Sequence, residues 1–302
     1  MTADAKKLTF ADNSWAMRKP ESQLLMVWRQ FRRHKLALAG SAVLLVLFAV
    51  AILADVVAPY DPNQVNPQLA RGYPQPPGPD HWFGTDELGR DYLSRAISGA
   101  RISLSIGFVA VGISIAIGIV LGSAAGYFGG RTDNLIMRVV DIFLSVPAFF
   151  LILTVNAYLP PSIYNVMVVI GLFSWMGVAR LIRGQFLSLK EKEFITAARA
   201  LGVPSRRLIT HHLLPNSLAP VIVAATLAIP SAILTESALS FLGLGVQPPQ
   251  ASWGSMLENA QIWLTEAWWM WVPPGTLISI TVLAFNFMGD GLRDALDPFM
   301  RR

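Results

Sequence analysis

The chain has 302 residues, 53% of them hydrophobic and only 14% charged; soluble domains carry about 25% charged residues, so this is a membrane-protein composition. The absence of cysteine excludes a disulfide framework, a thiolate metal site and a cysteine nucleophile. Of the four histidines, His34, His81, His211 and His212, the last two are sequence neighbours about 100° apart on a helix, which cannot chelate one metal as an i, i+4 pair can.

Residues 1–20 are polar and mixed, a tail. Residues 21–35 place Leu24, Trp28 and Phe31 on one helical face beside Arg29, Arg32, Arg33 and Lys35. That pattern predicts an interfacial helix on the inner membrane surface; the plainer reading is a basic tail that sets topology. Residues 36–58 form the first predicted span, uncharged until Asp55 and long enough to cross a hydrocarbon core of about 30 Å. Its apolar run is too long, and its leader too extended, for a cleaved signal peptide, so it reads as an uncleaved anchor.

Residues 59–101 read as a loop outside the membrane followed by a short helix. The first part is rich in Pro, Asn, Gln and Gly without periodicity. Thr85 then offers an N-cap with Asp86 and Glu87 in the first turn. Asp86/Arg90 and Asp91/Arg95 would be i, i+4 pairs with the acid N-terminal. The second span covers 102–127. In it Ser114, Gly118, Gly122 and Gly126 recur every four residues, a small-residue stripe that lets another helix approach closely; tight packing is a better reading than a gate.

The third span runs over 135–158, with Pro147 kinking it and Asp141 one turn from Arg138. An intramembrane carboxylate is a functional candidate by default, but a structural pair with Arg138 explains it more simply. Pro160-Pro161 makes a tight turn and 163–181 is the fourth span. After a hydrophilic insert, 183–216, the fifth span covers 218–237, interrupted by Pro220 and Pro230. Glu236 lies about 28 Å along it, either in the mouth of a pathway, facing a peptide amino group, or as a hydrogen-bonded structural acid. Residues 247–269 form a Trp-rich outer loop suited to interface anchoring. The sixth span is 271–288, and residues 290–302 close the chain as a polar tail.

Six spans put both termini on one side. Placing that side in the cytoplasm leaves 20 of the 24 Lys and Arg inside and only Arg71, Arg90, Arg95 and Arg101 outside, a strong positive-inside bias. It accounts for the net charge of +5 without invoking nucleic acid. The insert is then cytoplasmic. Within it, 193–201 reads as a short helix carrying Ala197 and Ala198, ended by Gly202 as a C′ glycine. Pro204 sits where a second helix can begin, and Pro215 is expected to break that helix at the membrane.

The pattern Ala-Ala-x3-Gly-x9-(Ile)-x-Leu-Pro of binding-protein-dependent ABC-importer permeases resembles Ala197-Ala198, Gly202 and Leu214-Pro215 without a gap. Thr196 stands where that family's Glu is usual and His212 where its Ile is usual; Glu193 lies one turn before Thr196. The run from Gly84 to Arg95 (GTDELGRDYLSR), with Gly99-Ala-Arg-Ile-Ser-Leu104, is similar to the second, C-type, permease subunit of oligopeptide and dipeptide importers. So are Phe241-Leu-Gly-Leu-Gly245, Ser252-Trp-Gly254 and the stretch from Phe285 to Pro298 (FNFMGDGLRDALDP). The resemblance covers nearly all the chain beyond its first twenty residues.

The resemblance implies an all-α, six-span type I importer permease in a bacterial inner membrane, working with a homologous B-type permease, two cytoplasmic ATPase subunits and an extracytoplasmic peptide-binding protein. It also implies that Glu193, Thr196, Ala197, Ala198, Gly202, Leu214 and Pro215 belong to the ATPase-coupling loop. The chain itself has no G-x4-G-K-[ST] phosphate loop, so ATP and Mg are expected on the partner ATPases and no cofactor here. Within the same family, importers of nickel chelates, opines, or antimicrobial or cell-wall peptides remain alternatives. A secondary transporter would need repeated halves with paired broken helices; an intramembrane enzyme would need a convergent nucleophile and base or metal ligands, and the sequence displays neither.

Overall fold

The computed structural model describes residues 23–296; the tail 1–20 and the extreme C-terminus lie outside the described residues, as do the side chains up to Leu24. Among the described residues the chain is helical without a strand. Five helices are long and apolar enough to cross a membrane, or six if one bent pair counts as a single span. In chain order the α-helices, short ones included, are α1 (Gln23–Phe31), α2 (Lys35–Ile52), α3 (Ala54–Val57), α4 (Tyr92–Phe128), α5 (Gly130–Leu144), α6 (Ala148–Tyr158), α7 (Ile163–Leu172), α8 (Trp175–Lys190) and α9 (Glu193–Ala200). Then come α10 (Ser205–Arg207), a π-helical turn (Leu208–Leu213), α11 (Leu214–Phe241), α12 (Trp253–Ala260) and α13 (Trp268–Leu296).

The long helix α4 is the central post, about 55 Å at 1.5 Å per residue, with α8, α7, α11 and α2 packed around it. The small-residue stripe makes the first of these contacts. A Cβ on Gly118 would lie 2.6 Å from Val178 Cβ, one on Gly122 2.5 Å from the Ala179 carbonyl, and one on Gly126 2.6 Å from Phe186 Cβ. Ser114, at the top of the stripe, is buried. On the other flank α2 lies along α13, with Gly40 against the Ala284 carbonyl. Phe31 closes this flank by packing with Ala37 and Ala295. That corrects the expected lipid-facing role of Phe31, whereas Trp28 on the same helix is 53% exposed.

Residues 85–91 are not the predicted helical turn. Gly84 and Gly89 have φ of 68° and 71°, left-handed values that favour glycine, and Thr85 bridges to Asp91. Asp86 closes the turn by accepting from the Leu88 and Arg90 amides and from Arg90 Nε at 2.6 Å. Helix α4 instead starts at Tyr92, capped by Asp91, which accepts from the Ser94 amide at 2.8 Å. Arg95 therefore turns to Asp86, 3.7 Å away, and donates to the Pro62 carbonyl rather than pairing with Asp91. This buried network holds the long loop onto the start of α4.

The predicted third span is two helices rather than one kinked one: α5 and α6 meet at 81°. Helix α5 has already ended at Leu144, and Pro147 stands as N-cap of α6, so the proline opens a new helix here instead of kinking one. Conversely, Pro220 and Pro230 interrupt nothing; α11 runs through both. Asp141 does not pair with Arg138 either. It accepts from Arg180 Nη2 at 2.6 Å, across the α5–α8 contact, with both groups about half exposed. The last helix is longer than its apolar core, reaching Leu296.

Candidate functional site

Three groups of residues matter for what the fold can do: the insert that joins α8 to α11, the outer end of α11, and the Gly stripe that seats α8. The stripe is described above.

In the insert, α9 forms because Glu193 sits in its first turn, favourable for the helix dipole, and three alanines follow with the best helix propensity. It ends in a full Schellman motif. The Gly202 amide donates to the Arg199 carbonyl and the Val203 amide to the Ala198 carbonyl, with Gly202 at φ 77°. One face of α9 is anchored: Ile195 is fully buried with Phe186 and Leu213. The other is open: Phe194 is 47% and Leu201 84% exposed, one helical repeat of seven apart with exposed Ala197 between them. Ala198 is half-buried, and Glu193, Thr196 and Gly202 are exposed. The result is a bare apolar ridge on an otherwise charged segment.

Two contacts pin the root of this insert to the span bundle. Arg183 makes a bidentate pair with Asp133 on α5, Nη2 to Oδ2 at 2.6 Å. Lys190 Nζ donates to the Tyr127 carbonyl at the end of α4 at 3.0 Å. Beyond Pro204, the N-cap of α10, the chain winds through the π turn, whose Leu208 and Leu213 are both buried. Pro215 does not break the helix as expected. It sits at the start of α11 directly after the π turn, whose altered hydrogen-bond register accommodates it, and 205–241 counts as one 37-residue helical stretch. Leu214 packs against the cluster around Ile195 and Leu213.

At the far end of that rod, Glu236 is fully buried. Its Oε1 accepts from Ser240 Oγ at 2.7 Å and from Ser252 Oγ at 2.6 Å. Ser252 is the N-cap of α12, with Ser255 completing a capping box. Glu236 thus ties the end of α11 to α12, and α12 is tied to α4 by Trp253 Nε1 donating to the Ala96 carbonyl at 3.0 Å. Trp253, read from sequence as an interface anchor, is fully buried core. Glu236→Ala strands two buried hydroxyls, each worth about 1–3 kcal/mol. It should lower the unfolding midpoint of the purified subunit clearly more than Glu236→Gln, which keeps an accepting oxygen; equal shifts would mean the hydroxyl contacts do not matter.

The exposed pair Phe194 and Leu201 beside Ala197 was not singled out from sequence, although its seven-residue spacing was there to read. The Asp133–Arg183 pair bridges 50 residues and leaves no local signal.

Several apolar helices around a central post, with a helical hairpin between two of the candidate spans, define a polytopic membrane protein. The fold matches that of a solved inward-facing MetNI methionine ABC transporter chain, with TM-score 0.56, 19% identity, and coverage of 68% of this chain and 97% of that one. The chain belongs to the binding-protein-dependent transport system inner membrane component family, whose model matches residues 118–302, while the model for the N-terminal TM domain of oligopeptide transport permease C matches 22–77. It is 42% identical over 276 residues to the dipeptide transport system permease protein DppC of Bacillus subtilis (strain 168), covering 91% of this chain and 85% of that protein. It is 40% identical over 296 residues to the oligopeptide transport system permease protein OppC of the same organism, covering 97% and 96%. It is accordingly a multi-pass bacterial inner-membrane protein.

Proposed function

We propose that this chain is the C-type permease subunit of an ATP-driven importer of di- and oligopeptides, forming half of the translocation pathway without catalysing a reaction itself. The supporting observation is the 40–42% identity, over nearly the whole chain, to permeases of dipeptide and oligopeptide systems. Its partners are a homologous B-type permease, two ATPase subunits that bind ATP and Mg, and an extracytoplasmic peptide-binding protein. The bent pair α5–α6 counts as one span, giving six, with both termini and the insert 183–216 in the cytoplasm. The charge bias supports that orientation. The unit divides into a tail (1–35), first span (36–58), outer loop (59–101), permease core (102–289) and cytoplasmic end (290–302).

In this reading the ridge of Phe194, Ala197 and Leu201 seats in a groove of an ATPase subunit, and Ala198 and Gly202 allow the close approach. Closure of the ATPase pair then moves α8 and α11 with the insert. Glu193 and Thr196 flank the contact, and Leu214 and Pro215 pass the motion into α11. Uptake of labelled di- and oligopeptides into proteoliposomes carrying all subunits should require ATP and the binding protein. ATP-independent uptake, or peptides failing while a nickel chelate or opine enters, would overturn the assignment.

A further inference from the structure

The interruption between α7 and α8 lies inside a membrane span. Residues 163–190 form one 28-residue candidate span, and Ser174 comes eleven residues after Ile163, about 17 Å along it. A helix broken at that depth is tolerated only where it is buried in protein or faces water. Ser174 is exposed, and its Oγ donates to the Ile170 carbonyl at 2.7 Å. Directly before the break α7 sits tight on α4: a Cβ on Gly171 would lie 2.8 Å from the Ala110 carbonyl. The break is therefore held on one side and open on the other.

On the open side is a cavity of about 200 Å³ between α4, α7, α8 and α11, with the hydroxyls of Ser114, Ser174, Ser231 and Thr235 on its wall and no charged side chain. Other exposed surfaces of the same helices look different: Val168 and Leu172 on α7 and Val120 on α4 are bare apolar side chains. The broken backbone at Ser174 and the clustered hydroxyls, three of them on other helices, point to the same thing, an aqueous surface in mid-membrane. We infer that this cavity is a wall of the translocation pathway and contacts the backbone of a passing peptide; the inference rests on the peptide-import function proposed above.

The chemistry fits an extended peptide backbone better than any side chain. A hydroxyl both donates and accepts. Thr235 Oγ1 spends its proton on the Ser231 carbonyl at 2.8 Å, as Ser174 does on Ile170, so each oxygen keeps lone pairs for a peptide N–H. A neutral lining has no charge with which to reject an acidic or basic residue. Its contacts are weak enough to release cargo, as passage requires.

Because the chain lacks cysteine, Ser174→Cys and Ser231→Cys each place a single thiol in this subunit with little change of volume. In the complete transporter in proteoliposomes, a charged, water-soluble thiol reagent should modify both at least about tenfold faster than Val120→Cys. During ATP-driven uptake of a tripeptide their modification should slow at least threefold. Modification no faster than at Val120→Cys, in an uptake-competent complex, would place the cavity against lipid or the partner permease and overturn the inference. Modification that the tripeptide leaves unchanged would overturn the peptide contact. Rapid modification in a complex that imports no peptide would instead count against the transport function itself.

Discussion

Leu201→Asp is expected to cut ATP-driven uptake to about a thirtieth or less while the subunit still inserts and assembles with its partner permease. Leu201 is 84% exposed, so a charge there costs the folded chain about 0.5 kcal/mol or less. If Leu201 is a hot spot of the docked ridge, losing it costs about 2 kcal/mol or more, which corresponds to roughly thirtyfold. Ala198→Asp should act the same way. Gly202→Asp adds local strain at φ 77°, so Leu201 is the cleaner position. The measurement is uptake against ATP hydrolysis in the same proteoliposomes, with co-purification of the ATPase subunits as the second readout. Normal uptake with the ATPases retained would remove the ridge from the coupling mechanism.

Gly122→Leu should eliminate the folded subunit. Even a methyl there would stand 2.5 Å from the Ala179 carbonyl and 2.9 Å from Ile182 Cβ, and backbone cannot step aside as a side-chain end can. Overpacking of this kind costs about 1–3 kcal/mol for small excesses and more when two helices must part along their length. Gly177→Leu on the same α8 helix supplies the contrast, since nothing lies within 4 Å of its Cβ position. Size-exclusion profiles of the two detergent-extracted variants should show a monodisperse peak for the second and loss of that peak for the first. A normal profile for Gly122→Leu would mean that the fold does not depend on the close approach of α4 and α8 at this stripe.

What the sequence made legible were features written in local pattern. The apolar runs gave the long helices, the four-residue repeat marked the face that seats α8, and Gly202 marked the end of α9. What it hid depends on residues far away in the chain. Thr85-Asp86-Glu87 matches a helix start; only the bridge to Asp91 and the ion pair with Arg95 turn it into a loop. Prolines misled in both directions, because α11 keeps its course through Pro220 and Pro230 while the chain breaks at Phe173 and Ser174 with no proline there. Asp141 finds its partner 39 residues on rather than one turn away. A Trp-rich stretch resembles an interface belt until Trp253 is seen among buried neighbours.

The two helices that leave the insert are mechanically unlike. The one on the α8 side has a joint at Phe173 and Ser174, so a tilt imposed at its root can be absorbed there. On the other side, residues 205–241 run as one 37-residue helical stretch, and a tilt of about 5° over its length of about 55 Å sweeps the far end sideways by about 5 Å. That end is clasped to α12 through Glu236 and Ser252. Under the coupling proposed above, a push on the insert acts on one jointed arm and one continuous arm, and shears the bundle instead of rotating it whole.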